Sequence, residues 1–219
     1  MPSIVAPVRV EIFSDVVCPW CYIGKTRFDE ALRRLGATDV DVVYSPYQLD
    51  PTAPLDGAAP VAEAYAKKFG GPDKARAILE HVSATAAQDG LTFAMDKALR
   101  ANTRLAHRLL LAAEHHDDPA LQATLYGHLF KTYFCDGGNL GDRDTLRACA
   151  ERAGLDPETT TAALDDDRYD GLLQDRLERA AALGITAVPT FVIDDRWSIP
   201  GAQDVEFFER TLRRLLDNP

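Results

Sequence analysis

Val8-Arg9-Val10-Glu11-Ile12-Phe13-Ser14-Asp15-Val16-Val17-Cys18-Pro19-Trp20-Cys21 joins a short apolar run to two cysteines separated by two residues. Val8 to Phe13 alternates weakly between Pro7 and Ser14-Asp15, as a strand does. Tyr22 to Leu35 follows as a helix, with Phe28, Leu32 and Leu35 on one face and Gly36 as its stop. Cysteines so spaced, between a strand and a helix, form a redox motif or half a metal site. Pro19 stands where the first helical residue belongs, because its missing N–H would be unpaired there anyway. Cys18 then falls at or near the N-cap, facing unpaired amides and the positive end of the helix dipole. Such a position favours thiolate over thiol. Cys21 lies about one turn on, placed to attack a mixed disulfide formed at Cys18.

The metal reading is weaker, since structural zinc needs a second ligand pair at short spacing. Cys135 and Cys149 are not such a pair. His81, His107, His115, His116 and His128 have no zinc-finger spacing to Cys18 or Cys21. Two thiols buried by chance is the third reading. The local context favours redox chemistry without a metal.

A chain of 219 residues exceeds a minimal domain, so one domain with a large insertion, or two domains, is expected. A net charge of −10 argues against nucleic acid and anionic membranes as partners. No apolar stretch approaches membrane-spanning length. Met1 to Arg9 lacks a charged segment followed by a long apolar core, so a cytoplasmic location is expected. Structural disulfides are rare there.

Val40 to Tyr44 reads as a second strand, completing a β-α-β unit with a parallel crossover. A proline-rich connection (Pro46, Pro51, Pro54, Pro60) leads into a largely helical block. Its helices are expected at Val61 to Phe69, Asp73 to Asp89, Thr103 to His115 and Pro119 to Phe134. A further helix is capped by Asp142 and stopped by Gly154, and one continuous helix is expected from Thr160 to Leu183. Thr190 to Ile193 is a strand, Asp194-Asp195 a turn, Trp197 to Ile199 its hairpin partner, and Asp204 caps a last helix. Pro189 suits the start of a strand, where no ladder donor is required.

Cys-Pro-Trp-Cys after a first strand, with Gly184-Ile185-Thr186-Ala187-Val188-Pro189-Thr190-Phe191 far downstream, resembles the thioredoxin superfamily. The helical block is similar to its DsbA-like branch. Tyr47-Gln48-Leu49-Asp50-Pro51, Asn102-Thr103 with Ala106 to Leu109, and His128 to Phe134 with Gly138-Asn139 narrow the likeness to FrnE-type proteins. These are cytoplasmic oxidoreductases related to 2-hydroxychromene-2-carboxylate isomerases and kappa-class glutathione transferases. The resemblance spans Val8 to about Leu216.

It implies an α/β thioredoxin fold with a large all-helical insertion. Residues 1–60 and 171–219 would form the thioredoxin-like domain around an insertion at 61–170. It implies a thiol–disulfide oxidoreductase or isomerase with Cys18 as nucleophile and Cys21 as resolving thiol. Pro19, Trp20, Val188 and a cis Pro189 would frame the site. Asn102, Tyr47, Gln48 and Gln203 become candidate substrate contacts, although Asn102 fits a helix cap equally well. His107 and Arg108 are expected to serve polar groups between helices. No cofactor or metal is required, and glutathione is a candidate co-substrate. The expected partners are thiol- or disulfide-bearing proteins or small molecules, with a homodimer as a candidate assembly.

Two departures bear on substrate. Kappa-class and isomerase relatives typically carry serine where this chain has Cys18, and serine cannot exchange disulfides. Glutathione-binding relatives often carry Ser-Asp where this chain has Ala202-Gln203. The alternatives are a glutathione-dependent isomerase or transferase of aromatic or polyketide-like molecules, and a non-enzymatic peptide-binding scaffold. Cys149 is expected to be a buried inert thiol, Cys135 a more exposed one, and His115 to Asp118 a solvated loop.

Overall fold

The computed structural model describes residues 7–55 and 59–217. Residues 1–6, which carry most of the segment behind the expected cytoplasmic location, lie outside them. The chain opens with β1 (Val8–Ser14), α1 (Pro19–Leu35) and β2 (Val40–Pro46). Six helices follow: α2 (Val61–Phe69), α3 (Pro72–Gln88), α4 (Arg104–Glu114), α5 (Leu121–Phe134), α6 (Arg143–Ala153) and α7 (Pro157–Asp165). It closes with α8 (Arg168–Ala182), β3 (Thr190–Ile193), β4 (Trp197–Pro200) and α9 (Val205–Asp217).

The sheet runs β2-β1-β3-β4. β1 pairs parallel with β2, and α1 is the crossover such a pair needs. β1 also pairs antiparallel with β3, and β3 with β4. Asp194 and Asp195 turn the β3–β4 hairpin with φ of 49° and 54°, a left-handed pair that suits the twist of the strands. Asp194 also accepts the Arg9 N–H at 2.9 Å, tying the turn to β1.

Aromatic side chains join the sheet to the helices. Phe28 of α1, Phe191 of β3 and Phe208 of α9 meet with ring centroids 4.7 to 5.3 Å apart. On the side of the helical block, Tyr22 stacks on Phe130 at 4.8 Å and Tyr44 on Tyr126 at 4.6 Å. One apolar core therefore runs through both parts.

The expected continuous helix from Thr160 to Leu183 is two helices, a correction with a local cause. Asp156 caps α7 by accepting the Thr159 N–H at 2.8 Å, with Pro157 at the first turn. Asp166 is extended (φ −86°, ψ 124°) and accepts the Arg168 N–H at 2.8 Å, opening α8. Buried Arg108 makes the break tolerable by donating to the carbonyls of Ala163 (2.6 Å) and Asp166 (2.7 Å). Its third contact is the Asp170 carboxylate at 3.0 Å.

Asp142 caps α6 as expected, accepting the Thr145 N–H at 2.8 Å. Asp142→Ala is expected to cost about 1 kcal/mol of stability in urea denaturation. A second expectation concerns alkaline pH. Burial pushes the phenols of Tyr44 and Tyr126 and the thiol of Cys21 well above their ordinary ranges. The folded state therefore keeps protons that the unfolded chain releases. This contribution is fully present below the unfolded pKa values and is lost as pH rises from them towards the folded ones. The unfolding free energy of the reduced protein should fall between about pH 8 and about pH 10.5, by up to ~1.4 kcal/mol per group per pH unit, and the urea midpoint with it. An unchanged midpoint would contradict it.

Candidate active site

β1 ends beneath the first turn of α1 and brings Ser14 and Asp15 under the cysteines. The Asp15 carbonyl accepts the Cys18 N–H at 3.0 Å and closes the turn. Cys18 is the N-cap of α1, with extended backbone (φ −89°, ψ 113°), and Pro19 opens the helix. Its side chain caps no helix N–H. Instead the thiol points across the site and donates to the Val188 carbonyl at 3.7 Å. The sulfur therefore turns away from the first helix amides and towards the loop before Pro189.

Cys21 follows one turn on, its N–H donating to the Cys18 carbonyl at 3.0 Å. It is 1% exposed. Burial first, then its contact with Cys18, raises its pKa well above the thiol range, with partial relief from Ser14 and Asp15. Cys21 thus waits as a protonated thiol. Iodoacetamide at about pH 8 should leave it unmodified in the native protein, while denaturant should open it to alkylation. Equal labelling in both states, read by mass spectrometry, would contradict that. Cys149 is buried and Cys135 half-buried; both are free thiols.

The Val188–Pro189 bond is cis. Gly24 of α1 faces Pro189, and a Cβ there would sit 3.0 Å from the proline ring. The missing side chain is what lets α1 approach the loop. Trp20 lies on the outer side of the motif, its ring 6.1 Å from His81 of α3.

The other sequence candidates fall in different places. Tyr47 bridges to the same loop, its hydroxyl donating to the Thr186 carbonyl at 3.3 Å. Gln48 donates to Thr103 Oγ1 at 3.4 Å. Asn102 is buried and engaged: its amide donates to the Ala53 carbonyl at 2.7 Å and its oxygen accepts the Arg104 N–H at 2.9 Å. That is an Asx turn leading into α4, whose N-cap is Thr103 rather than Asn102, and a loop clamp together. Gln203 donates to the Pro200 carbonyl at 2.7 Å. His115 to Asp118 form an irregular connection after α4. No group of three or more His, Cys, Asp or Glu among the described residues is arranged to hold a metal ion.

Sequence reasoning missed a buried support beneath the cysteines. Asp15 and His107 are 0% and 1% exposed, with His107 Nε2 3.2 Å from Asp15 Oδ1. Asp15 Oδ2 accepts the Leu49 N–H at 2.8 Å, and His107 Nε2 also lies 3.1 Å from the Tyr47 carbonyl. His107 was expected between helices; it ties α4 to the cysteine turn and the 47–49 loop. In sequence, Asp15 is indistinguishable from an ordinary turn former.

A dithiol at a helix N-terminus, facing a cis-proline loop on a four-stranded sheet with a helical insertion, defines a DsbA-like thioredoxin fold. The chain belongs to the DSBA-like thioredoxin domain family, whose profile matches residues 9–213. It is 30% identical over 219 residues to Uncharacterized protein YwbO of Bacillus subtilis (strain 168), covering 94% of this chain and 96% of that protein. It is similar to the crystal structure of probable DsbA oxidoreductase SCO1869 from Streptomyces coelicolor, with TM-score 0.86 and 34% identity over 97% of this chain and 91% of that one. Cytosolic disulfide reductase DsbM from Pseudomonas aeruginosa, solved with GSH, shares the fold at TM-score 0.68 and 17% identity, over 95% of this chain and 99% of that one. Among the described residues no helix is long and apolar enough to cross a membrane.

Proposed function

We propose that this protein is a cytoplasmic thiol–disulfide oxidoreductase that works through Cys18 and Cys21. One observation carries the reading: Cys18 is the N-cap residue of α1 and its sulfur faces the carbonyl before the cis proline, with Cys21 one turn behind it. An extended substrate laid along the Val188–Pro189 loop brings its disulfide to Cys18.

Cys18 thiolate attacks one substrate sulfur, the substrate S–S bond breaks, and the departing thiolate takes up a proton. Cys21 then attacks the Cys18 sulfur of the mixed disulfide. Its proton passes to the second departing thiolate. The substrate gains two electrons and two protons, and the protein is left with a Cys18–Cys21 disulfide. Two glutathione thiols would restore the dithiol and leave as glutathione disulfide. Where a substrate thiol displaces Cys18 before Cys21 attacks, the same intermediate yields isomerisation.

Insulin reduction monitored by turbidity, with glutathione as reductant, tests the proposal. Catalysed precipitation should require the reduced dithiol. A rate equal to that of glutathione alone would overturn the reading.

A further inference from the structure

A hollow of about 620 Å³ lies beside the cysteine turn, between the 49–52 loop and α2. Its size suits a side chain or a small molecule. Val17, the residue before Cys18, forms one wall. Leu49, Tyr65, Phe69 and Tyr133 make the rest largely apolar. Leu49 and Phe69 are exposed, as is Trp20 within the motif. Exposed large apolar residues gathered round a nucleophile mark a surface that meets a partner. The Tyr65 phenol belongs to a half-buried side chain of this lining. Burial, with a contribution from charge on Cys18, pushes it up to about 12.

The rim is charged. Arg100 is paired with Asp50 at 2.7 Å. Lys67 and Lys68 have no carboxylate within ion-pair distance among the described residues, and Glu63 is the remaining acid of the lining. The lining therefore carries net +1 in a chain of net −10. Both lysines lie in the last turn of α2, where the helix dipole favours cations. The dipole explains a positive charge there, but not its opening onto an apolar hollow beside the nucleophile.

We propose that this hollow receives an apolar side chain flanked by acidic residues, from the polypeptide that carries the substrate disulfide. The inference rests on the disulfide chemistry proposed above and names the segment that chemistry selects. Its sign is distinctive, because the overall charge of the protein would by itself favour a basic substrate.

The probes are two disulfide-linked peptide dimers, of Glu-Phe-Gly-Cys-Gly-Phe-Glu and of the same peptide with lysine for glutamate. At low salt the reduced protein should consume the acidic dimer about tenfold faster, with the preference shrinking as salt screens it. The double variant Lys67→Gln/Lys68→Gln should bring the ratio of the two rates towards one. Phe69→Ala should slow the acidic dimer. A ratio near one in the unaltered protein, or a ratio the double variant leaves intact, overturns the docking site while the oxidoreductase reading stands. Lysine dependence with 5,5′-dithiobis(2-nitrobenzoate) but not with the peptides would assign the hollow to small aromatic acids and overturn it too. Failure of every disulfide to react would sink both readings together.

Discussion

Cys18→Ser is expected to lower the rate of disulfide reduction by more than about 10³-fold, a loss of ~4 kcal/mol in transition-state stabilisation. Serine keeps the size and the N-cap position of the residue, so the fold should survive. What disappears is the thiolate, the species that attacks a disulfide sulfur. Cys21→Ser should behave differently. Cys18 remains free to attack, but nothing within the protein resolves the product, so a mixed disulfide accumulates. Mass spectrometry of the intact protein after exposure to a substrate disulfide should show one substrate half per chain. The pair of results separates attack from resolution. Insulin reduction by Cys18→Ser at half the normal rate would sink the assignment, because the chemistry would then lie elsewhere.

Asp15→Ala is expected to destabilise the protein by about 2 to 4 kcal/mol, the cost of removing a buried hydrogen-bond acceptor that serves two groups. The carboxylate lies 3.2 Å from His107 and accepts the Leu49 N–H at 2.8 Å, with neither Asp15 nor His107 open to solvent. Alanine leaves the Leu49 N–H without its acceptor and buried His107 with the Tyr47 carbonyl alone. Asp15→Asn retains an acceptor for Leu49, so its cost should be smaller, about 1 to 3 kcal/mol. Urea denaturation of the reduced proteins measures both. An Asp15→Ala change within ~0.5 kcal/mol, the range of an ordinary surface substitution, would show that the support is not one. The bond that closes the Cys18 turn runs to the Asp15 backbone carbonyl, which both variants keep, so disulfide exchange should slow only as far as loss of the side-chain support loosens that turn.

Much of the fold was legible along the chain because its signals are local. Pro19 at the first helical position, Gly36 and Gly154 in left-handed caps and Asp142 bonding the Thr145 N–H act within a few residues. The β-branched and aromatic run of Thr190 to Ile193 and the Asp194-Asp195 turn are of the same kind. The break between α7 and α8 was not legible. An apolar stripe continues through Asp165-Asp166-Asp167, and the break is stabilised by Arg108, which arrives from α4.

The cysteine pair, its order on α1 and the proline that faces it are written in the sequence. A strand, a turn, a proline and a helix form from neighbours, and the spacing of Cys18 and Cys21 follows from one helical turn. The surroundings of those sulfurs were settled by packing across long separations. Val188 meets Cys18 from 170 residues away, and His107 meets Asp15 from 92. Tyr65 and Lys67 reach the same rim from a helix in the insertion. Such contacts depend on how elements stack, which periodicity and capping do not encode. The sequence names the residue proposed to react, while its exposure, its support and the company a substrate would keep belong to the assembled fold.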